Sequence, residues 1–346
     1  MDFLTNARYG QAIPDAQVNL PAFTSYAAYC DETQDGEVRH TLNYVLDRDV
    51  RVQTALLEMI GGNRAIMLKS EGLWTPRVTR NDAAVQLLSW ANCSNVNLTY
   101  LRDRDRINVF EARFANEAVE SQSFAQDVLT WPSIDDWPAD VRKAGLDIRG
   151  VTKPTRVMRA LQFELNRRQF ENLALSIDCS LEAVVLSIHD VFRFSHPLPG
   201  WGTSGRLREG STTTNLVLDV DVVVEAGESY HAYVRHEDDT VDVRNVTHPG
   251  AGTFRTIALT APLSQTPIAR TSVWAFGLSS PTETAVQLFR VVKMQRHEAH
   301  VHIEAIRHNP SIYDEAVGTP ITGITTLFNP LGASPPLTHL VATELF

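Results

Sequence analysis

The chain has 346 residues, of which 43% are hydrophobic and 21% are charged, and its formal net charge is −10. This composition is that of a globular protein with a sizeable core and room for two to four subdomains. It argues against a tight nucleic-acid binder, because such binding depends on neutralising phosphates, and no run approaches the ~18 apolar residues of a membrane-spanning helix.

The first 94 residues predict a helix-containing α+β domain. Asn19 is placed to cap a short helix that carries Phe23 and Tyr26. A second helix is predicted over 49–60, where Gly61 and Gly62 follow it. A hairpin is predicted over 64–74 and a further short helix over 82–90.

Residues 95–210 predict a β-rich domain with one long helix. Val157, Leu161 and Leu165 recur every four residues, which predicts an amphipathic helix over 154–170. Alternation from Leu173 to Cys179 predicts a half-buried strand, and a second strand ends at 191–194. The alternating charges of 102–106 and the Pro-rich stretch 121–140 favour solvated loops. A Pro- and Gly-rich turn follows at 196–202.

Residues 211–314 predict an antiparallel β-barrel or sandwich. Short alternating runs recur about every ten residues, and turn residues such as Gly227 and Asp239 separate them. No Gly-rich phosphate loop follows a strand, so no nucleotide cofactor is expected. Asn309 and Pro310 end the last strand, and residues 315–346 form a Pro- and Gly-containing linker.

Three patterns could carry chemistry, and each has a plainer interpretation. His300 and His302 share a strand face with Glu304, which permits a metal site, but exposed edge histidines are the favoured interpretation. Adjacent Asp135 and Asp136 could suggest a hydrolase, but side chains that diverge in a Pro-rich loop favour a solvated turn. The three cysteines are widely spaced, which predicts buried thiols without a disulfide framework or structural zinc. We therefore expect no cofactor, no metal and no enzymatic activity.

Three blocks of sequence resemble the lambda-type tail tip attachment proteins of siphophages and the related hubs of gene transfer agents. The first block contains LTNARYG and YCDE, the second ends in DVFRFS and SGRL, and the third contains VWAFG, LFRVVKMQR and VHIEAIRHNPSIYD. The family has a glycine at the turn where this chain has His189. Residues 334–344 resemble the start of a fibronectin type III domain, so the chain matches the middle of the family pattern.

The resemblance implies a structural virion protein at the tip of a phage tail, assembled in the host cytoplasm. Its fold would combine a peripheral α+β domain with tube-type β domains, and three copies would form the hub. The implied partners are distal tail and tail tube proteins, the tape-measure protein and receptor-binding parts, while the genome passes without specific binding. We expect structural roles for seven residues: Val191, Phe192 and Phe194 in the barrel core, Trp201 at the loop, and Trp274, Phe289 and Tyr313 in the last β block.

Two other classes of function remain open from the sequence. A carbohydrate-binding β module would use exposed Trp131, Trp137 or Trp201 as sugar platforms. A cell-wall hydrolase would need Asp135, Asp136 or Glu304 in a cleft. A ring or a large particle would favour the hub, whereas a glycan-binding monomer would favour the module.

Overall fold

The computed structural model describes residues 1–46, 51–70, 72–102, 106–117, 126–197, 201–279, 286–315 and 325–326. The chain forms two compact units, and each is assembled from separate stretches of sequence. Unit 1 comprises Met1–Arg80, Ile107–Arg168 and Asp314–Phe346; unit 2 comprises Asn81–Arg106 and Gln169–Tyr313. The sequence predicted contiguous domains over 1–94, 95–210, 211–314 and 315–346, and the compact units follow a different division.

The described residues are mostly β, with a few helices, in agreement with the predicted β-rich α+β class. The helices are α1 (Asp2–Thr5), α2 (Leu20–Asp31), α3 (Val52–Gly61) and α4 (Pro154–Phe170). The strands are β1 (Thr33–Gln34), β2 (Glu37–Val38), β3 (Ala65–Ser70), β4 (Leu73–Val78), β5 (Gln86–Ser89), β6 (Cys93–Tyr100), β7 (Val109–Ala115), β8 (Gln126–Trp131), β9 (Lys143–Asp147), β10 (Leu173–Cys179), β11 (Val191–Ser195), β12 (Thr203–Arg206), β13 (Asn215–Val224), β14 (Tyr230–Arg235), β15 (Val241–Thr247), β16 (Gly252–Leu259), β17 (Val273–Leu278), β18 (Gln287–Arg296), β19 (Val301–Arg307) and β20 (Thr325–Thr326). Among the described residues, no helix is both long and apolar enough to cross a membrane.

Unit 1 is built on helix α4 and a four-stranded sheet. The order of the sheet is β20-β8-β7-β9, with β7 antiparallel to β8 and parallel to β9. Val157, Leu161 and Leu165 of α4 are buried in one cluster with Phe110 and Phe114 of β7, so the predicted helix over 154–170 is confirmed. Strands β8 and β9 lie in stretches that the sequence did not predict to be β.

The amino-terminal part of unit 1 follows the predicted order of elements. The Asn19 side chain accepts a 3.2 Å hydrogen bond from the N–H of Ala22, which confirms the predicted helix cap. Strands β3 and β4 form the predicted hairpin. At the other end of the sequence, only Thr325 and Thr326 of the last thirty residues are described, and they pair with β8. The stretch 334–344, with its resemblance to fibronectin type III, lies outside the described residues.

Unit 2 contains two six-stranded sheets. The first sheet has the order β5-β11-β18-β19-β10-β6, and the second sheet has the order β12-β17-β14-β15-β16-β13. The prediction that 211–314 forms one barrel is wrong, because β18 and β19 pair with β11 and β10 in the first sheet. Hydrophobic alternation defines which face of a strand is buried, but it does not define the partner strand.

The second sheet curls until its two outer strands, β12 and β13, meet. The backbone N–H of Arg206 on β12 donates a 3.0 Å hydrogen bond to Oδ2 of Asp219 on β13. Gly205 is required at this contact, because a Cβ atom there would overlap the Asp219 carboxylate. The register of β13 with β16 shifts between Val217 and Val222, and Val220 within this interval is exposed. The sheet is therefore nearly closed.

The predicted helix over 82–90 is wrong. Residues Gln86–Ser89 form strand β5, which pairs parallel with β11, and all four residues are buried. A short run that is buried on both faces has neither the two-residue period of a half-buried strand nor the period of a helix, so the pattern could not separate the two. The start of the strand predicted before Val191 is also wrong, since Leu181–Val185 form a 3-10 helix.

Candidate functional site

The second and third blocks of the family resemblance pair with each other strand by strand in unit 2. Strand β10 pairs with β19, β11 with β18, and β12 with β17, and all three pairs are antiparallel. The first two pairs belong to the first sheet, and the third belongs to the second sheet. Residues 208–272 separate the blocks in sequence, yet the blocks supply adjacent strands to both sheets.

An aromatic cluster fills the core of the first sheet. Phe192, Phe194 and Phe289 are fully buried, and Phe192 lies directly opposite Phe289 in the ladder between β11 and β18. Phe194 meets Phe289 edge to face, with ring centroids 6.1 Å apart. The half-buried Trp201 lies 5.9 Å from Phe289, and its carbonyl accepts a 2.9 Å hydrogen bond from Ser195. Val191 is also buried.

Trp274 belongs to the core of the second sheet, separate from the other predicted aromatic residues. Its side chain is fully buried on β17 and lies in one cluster with Phe276 and Leu218. The indole Nε1–H donates a 2.9 Å hydrogen bond to Oδ1 of Asp219. One carboxylate therefore satisfies both the buried indole and the backbone of Arg206.

Tyr313 lies beside a buried ion pair at the end of the first sheet. Arg290 of β18 pairs with Glu171, and each side chain is about 5–6% exposed. Arg290 also donates a 3.3 Å hydrogen bond to the Tyr313 hydroxyl. The His308 ring lies 5.7 Å from the Tyr313 ring. Burial, together with the charge of Arg290, lowers the pKa of His308 to about 4.

Glu182 is the centre of a polar network that joins the two sheets of unit 2. Its carboxylate pairs with the buried Arg235 of β14 and with Arg206 of β12, the latter at 3.2 Å, and accepts a 3.2 Å hydrogen bond from Asn92. Gln86 of β5 donates to the Glu182 carbonyl at 3.0 Å. Burial opposes ionisation of Glu182, but these donors outweigh it, so the pKa of Glu182 is lowered. Reasoning from the sequence missed this network, because its members lie on four separate segments and follow no shared period.

Of the candidate metal residues, His302 and Glu304 lie on β19 and His300 directly precedes it, near Asp178 of β10. His302 Nδ1 is 2.6 Å from Asp178 Oδ1, whereas His300 Nε2 is 4.0 Å from the same oxygen. The carboxylate of Glu304 is held at 2.7 Å by Lys293. Hydrogen bonds from Asn95 and His302 lower the pKa of Asp178. Within the described ranges, no group of three or more His, Cys, Asp or Glu residues is arranged to hold a metal ion.

The three tryptophans considered as sugar platforms are half-buried and not fully exposed. Trp131 packs against the core of unit 1, and Trp201 packs in the aromatic cluster of the first sheet. The indole N–H of Trp137 donates to the Pro132 carbonyl at 3.2 Å, and the Lys143 ammonium lies 5.6 Å from its ring. The expectation of exposed aromatic platforms at these positions is wrong.

The acidic residues considered for a hydrolase are not brought together within one unit. Asp135 and Asp136 are exposed in a 3-10 helix of unit 1, where the sequence predicted a solvated turn. Glu304 lies on β19 of unit 2 and forms the ion pair with Lys293. Neither unit therefore combines these carboxylates in a catalytic pair.

No family model matches the sequence, and no curated protein matches it. Among solved structures, the chain is similar to a component of the virion of a native gene transfer agent particle, with a TM-score of 0.43 and 10% identity. A tail protein from Neisseria meningitidis MC58 is similar with a TM-score of 0.35 and 9% identity. The 43 kDa tail protein of prophage MuSo2 from Shewanella oneidensis is similar with a TM-score of 0.34 and 8% identity. Each likeness covers 78% of this chain and 42%, 60% and 58% of the respective structures. At these TM-scores the likenesses do not establish a shared fold.

An exposed apolar patch and a thiol pair complete the features of unit 2. Leu181, Val184 and Val185 are 53%, 39% and 53% exposed, and they lie on one 3-10 helix. The sulfur atoms of Cys93 and Cys179 lie 2.7 Å apart. Both are free cysteines, and β6 and β10 place them side by side, a pairing that the sequence did not predict.

Proposed function

We propose that the chain is a structural protein of a phage-type virion, which forms a trimeric hub at the distal tip of the tail. In this role it would continue or close the tail tube and link it to the parts that recognise the host. It would contact distal tail and tail tube proteins, the tape-measure protein and receptor-binding parts. The genome would pass through the ring at ejection, and a net charge of −10 disfavours adhesion of DNA to its surface.

The observation that carries the proposal is the strand-by-strand pairing of the two resembling blocks. Their family resemblance rests on sequence alone, and their strands form three antiparallel pairs, two in the first sheet and one in the second. The Glu182 network then joins the two sheets that these pairs build. A two-sheet body of this kind suits a load-carrying ring segment, because its buried core and ion pairs resist relative movement of the sheets.

Two surfaces of unit 2 suit contacts between copies. Strand β6 is an outer strand of the first sheet whose residues are all exposed or half-buried, and such a strand offers backbone groups that a neighbouring chain can pair with. The exposed patch of Leu181, Val184 and Val185 offers apolar area to a second copy. In a closed ring of three copies, both surfaces would be covered.

The test is the state of assembly of the full chain. Sedimentation velocity of the purified protein should give a trimer, and negative-stain electron microscopy should show rings. Immunogold labelling of virions should place the label at the distal end of the tail. A monodisperse monomer that does not associate with particles would refute the hub.

A pair of variants tests the proposed contact. Leu181→Lys together with Val185→Lys should shift the trimer towards monomer by tenfold or more in dissociation constant, because it places charge in an apolar interface. Val223→Lys is the matched control, since Val223 is 65% exposed on β13, outside this patch. Equal weakening by both substitutions would show that the patch is not a specific contact.

A further inference from the structure

Cys93 and Cys179 lie directly opposite each other on the antiparallel strands β6 and β10. Their sulfur atoms are 2.7 Å apart, whereas a disulfide bond has its sulfur atoms roughly 2.0 Å apart. Directly paired residues of antiparallel strands have Cα atoms about 4.5–5.5 Å apart, within the range that a disulfide spans. The backbone of the first sheet therefore already has the geometry that a bond between these residues requires.

A β-bulge in β6 creates this pairing. Along β10, the partners of Ser176 and Asp178 are Asn97 and Ser94, so β6 holds one extra residue in this interval. Asn95 accommodates it with a φ of 52°. Without the extra residue, Ser94 would lie opposite Cys179, and Cys93 would face the other side of the sheet. The bulge thus turns Cys93 onto the core face, where it packs in one cluster with Cys179.

We propose that Cys93 and Cys179 are a redox site that forms a disulfide under oxidising conditions and so links the outer strand β6 covalently to β10. Among the strands of the described ranges, β6 pairs only with β10. A covalent bond at this position would restrain an edge that otherwise depends on one ladder of hydrogen bonds.

The oxidant is a small disulfide such as oxidised glutathione. The Cys93 thiolate, on the half-buried residue of the pair, attacks one sulfur of the oxidant and releases one glutathione thiolate. The Cys179 sulfur, after losing its proton, then attacks the sulfur of Cys93 in the mixed disulfide and releases the second glutathione thiolate. Two electrons pass from the cysteine pair to the oxidant, and the two thiol protons end on the two glutathione molecules.

The environment of the pair favours the thiol form before oxidation. Burial, with a further contribution from Cys179, raises the pKa of the Cys93 thiol. Cys179 is only 1% exposed. Because the thiolate is the reactive form, the pair should remain reduced in a cytoplasm and close slowly in an oxidising medium. The timing of this step, after release of particles from the host, rests on the proposed function, whereas the chemistry does not.

The disulfide would also close a loop of the chain that starts in unit 2, passes through unit 1 and returns to unit 2. Cys93 and Cys179 both belong to unit 2, and the stretch Ile107–Arg168 between them belongs to unit 1. The two cysteines are 86 residues apart, and the chain between them crosses from unit 2 to unit 1 after Arg106 and back to unit 2 after Arg168. Closing so long a loop reduces the conformational freedom of the unfolded chain.

The experiment uses the full chain, purified with reductant and then incubated with oxidised glutathione. After denaturation and treatment with iodoacetamide, intact mass should show alkylation of one cysteine in place of three, and peptide mapping should show Cys93 linked to Cys179. Amide exchange in the peptide that covers β6 should slow roughly tenfold or more in the oxidised form. Retention of all three thiols, a bond that includes Cys30, a stable glutathione adduct on Cys93, or unchanged exchange in β6 would each overturn the proposal.

Matched variants separate this result from other oxidation. Cys30→Ser should leave the formation of the bond unchanged, because Cys30 belongs to unit 1. Cys93→Ser should retain alkylation at both remaining cysteines and should show no slowing of exchange with the oxidant. Sedimentation of the reduced and oxidised forms is measured separately. A monomer that still forms the bond would refute the hub and leave the redox site intact.

Discussion

The two sheets of unit 2 have the same number of strands, but their cores differ in chemistry. The core of the first sheet is built around the rings of Phe192, Phe194 and Phe289, which bring no hydrogen-bonding atom with them. The core of the second sheet contains the indole N–H of Trp274, which needs the Asp219 carboxylate. Stability should therefore depend on filled volume in the first sheet and on a satisfied polar group in the second.

The largest expected effect is the loss of volume from the first core. Phe289→Ala should lower the free energy of unfolding by about 3–5 kcal/mol, because a fully buried ring is replaced by a cavity. Phe289→Leu keeps most of the volume and should cost only roughly 1–2 kcal/mol. Denaturant unfolding gives the total change, and hydrogen exchange of peptides from β18 and β15 shows where it acts. Equal acceleration of exchange in both peptides would show that the two cores unfold as one.

The next effect is a pH dependence that His308 contributes from the end of the first sheet. His308 is 3% exposed and faces Arg290, Tyr313 and Asn81, and its pKa is lowered to about 4. The ordinary pKa is about 6.5, so between these values the unfolded chain binds a proton that the folded chain does not bind. The contribution of His308 to stability should be full above about pH 6.5 and should fall by about 3 kcal/mol as the pH drops to about 4.

His308→Gln is the control for this pH dependence, because it removes the titrating group and keeps a polar side chain. The difference in unfolding free energy between the variant and the natural chain should grow steadily between pH 6.5 and 4, as about 1.36 kcal/mol per pH unit. Thermal and urea unfolding at half-unit pH steps measure it. A difference that stays constant with pH would show that folding does not lower the pKa of His308.

The second core should respond to loss of a partner. Asp219→Ala leaves both the Trp274 indole and the Arg206 N–H without their acceptor, which should cost about 2 kcal/mol. Gly205→Ala should cost a similar roughly 2 kcal/mol, since the new methyl group overlaps the Asp219 carboxylate.

The double variant sharpens this test. When Asp219 is replaced by alanine, the methyl group of Gly205→Ala no longer meets a carboxylate. The double variant should therefore lose clearly less stability than the sum of the losses in the two single variants. A double-mutant cycle by urea unfolding measures the coupling. Additive costs would mean that Gly205 is required for a reason other than its contact with Asp219.

The sequence allowed the elements to be predicted better than their arrangement. Helix α4 and strand β10 were predicted with their bounds, because the period of buried residues is a local property. The partners of β18 and β19 could not be predicted, because alternation is the same whichever strand lies beside them. Strand β5 was misassigned because it is buried on both faces.

The candidate site was less predictable than the fold. Burial of Phe192 and Phe289 follows from their positions in strands, but their direct pairing depends on the register between β11 and β18. The thiol pair needed a bulge at Asn95, which no pattern in β6 indicates. The Glu182 network needed the mutual placement of both sheets. Each of these contacts is a property of tertiary structure, which local patterns in the sequence do not determine.

The smallest expected effect concerns His189, where the resembling family has a glycine. His189 has a φ of 75°, in the left-handed region that glycine adopts without strain, and its N–H donates a 2.9 Å hydrogen bond to the Val291 carbonyl. The turn that leads into β11 therefore keeps a conformation suited to glycine, although this chain has a histidine there.

His189→Gly should stabilise the first sheet by up to about 1 kcal/mol, because relief of backbone strain exceeds the cost of the greater conformational freedom of the unfolded chain. His189→Val should instead destabilise it by roughly 1–2 kcal/mol, since a branched side chain tolerates this φ poorly. Urea unfolding of both variants measures the difference. Destabilisation by glycine would mean that contacts of the His189 side chain outweigh the backbone strain, and the second sheet should be unaffected by either substitution.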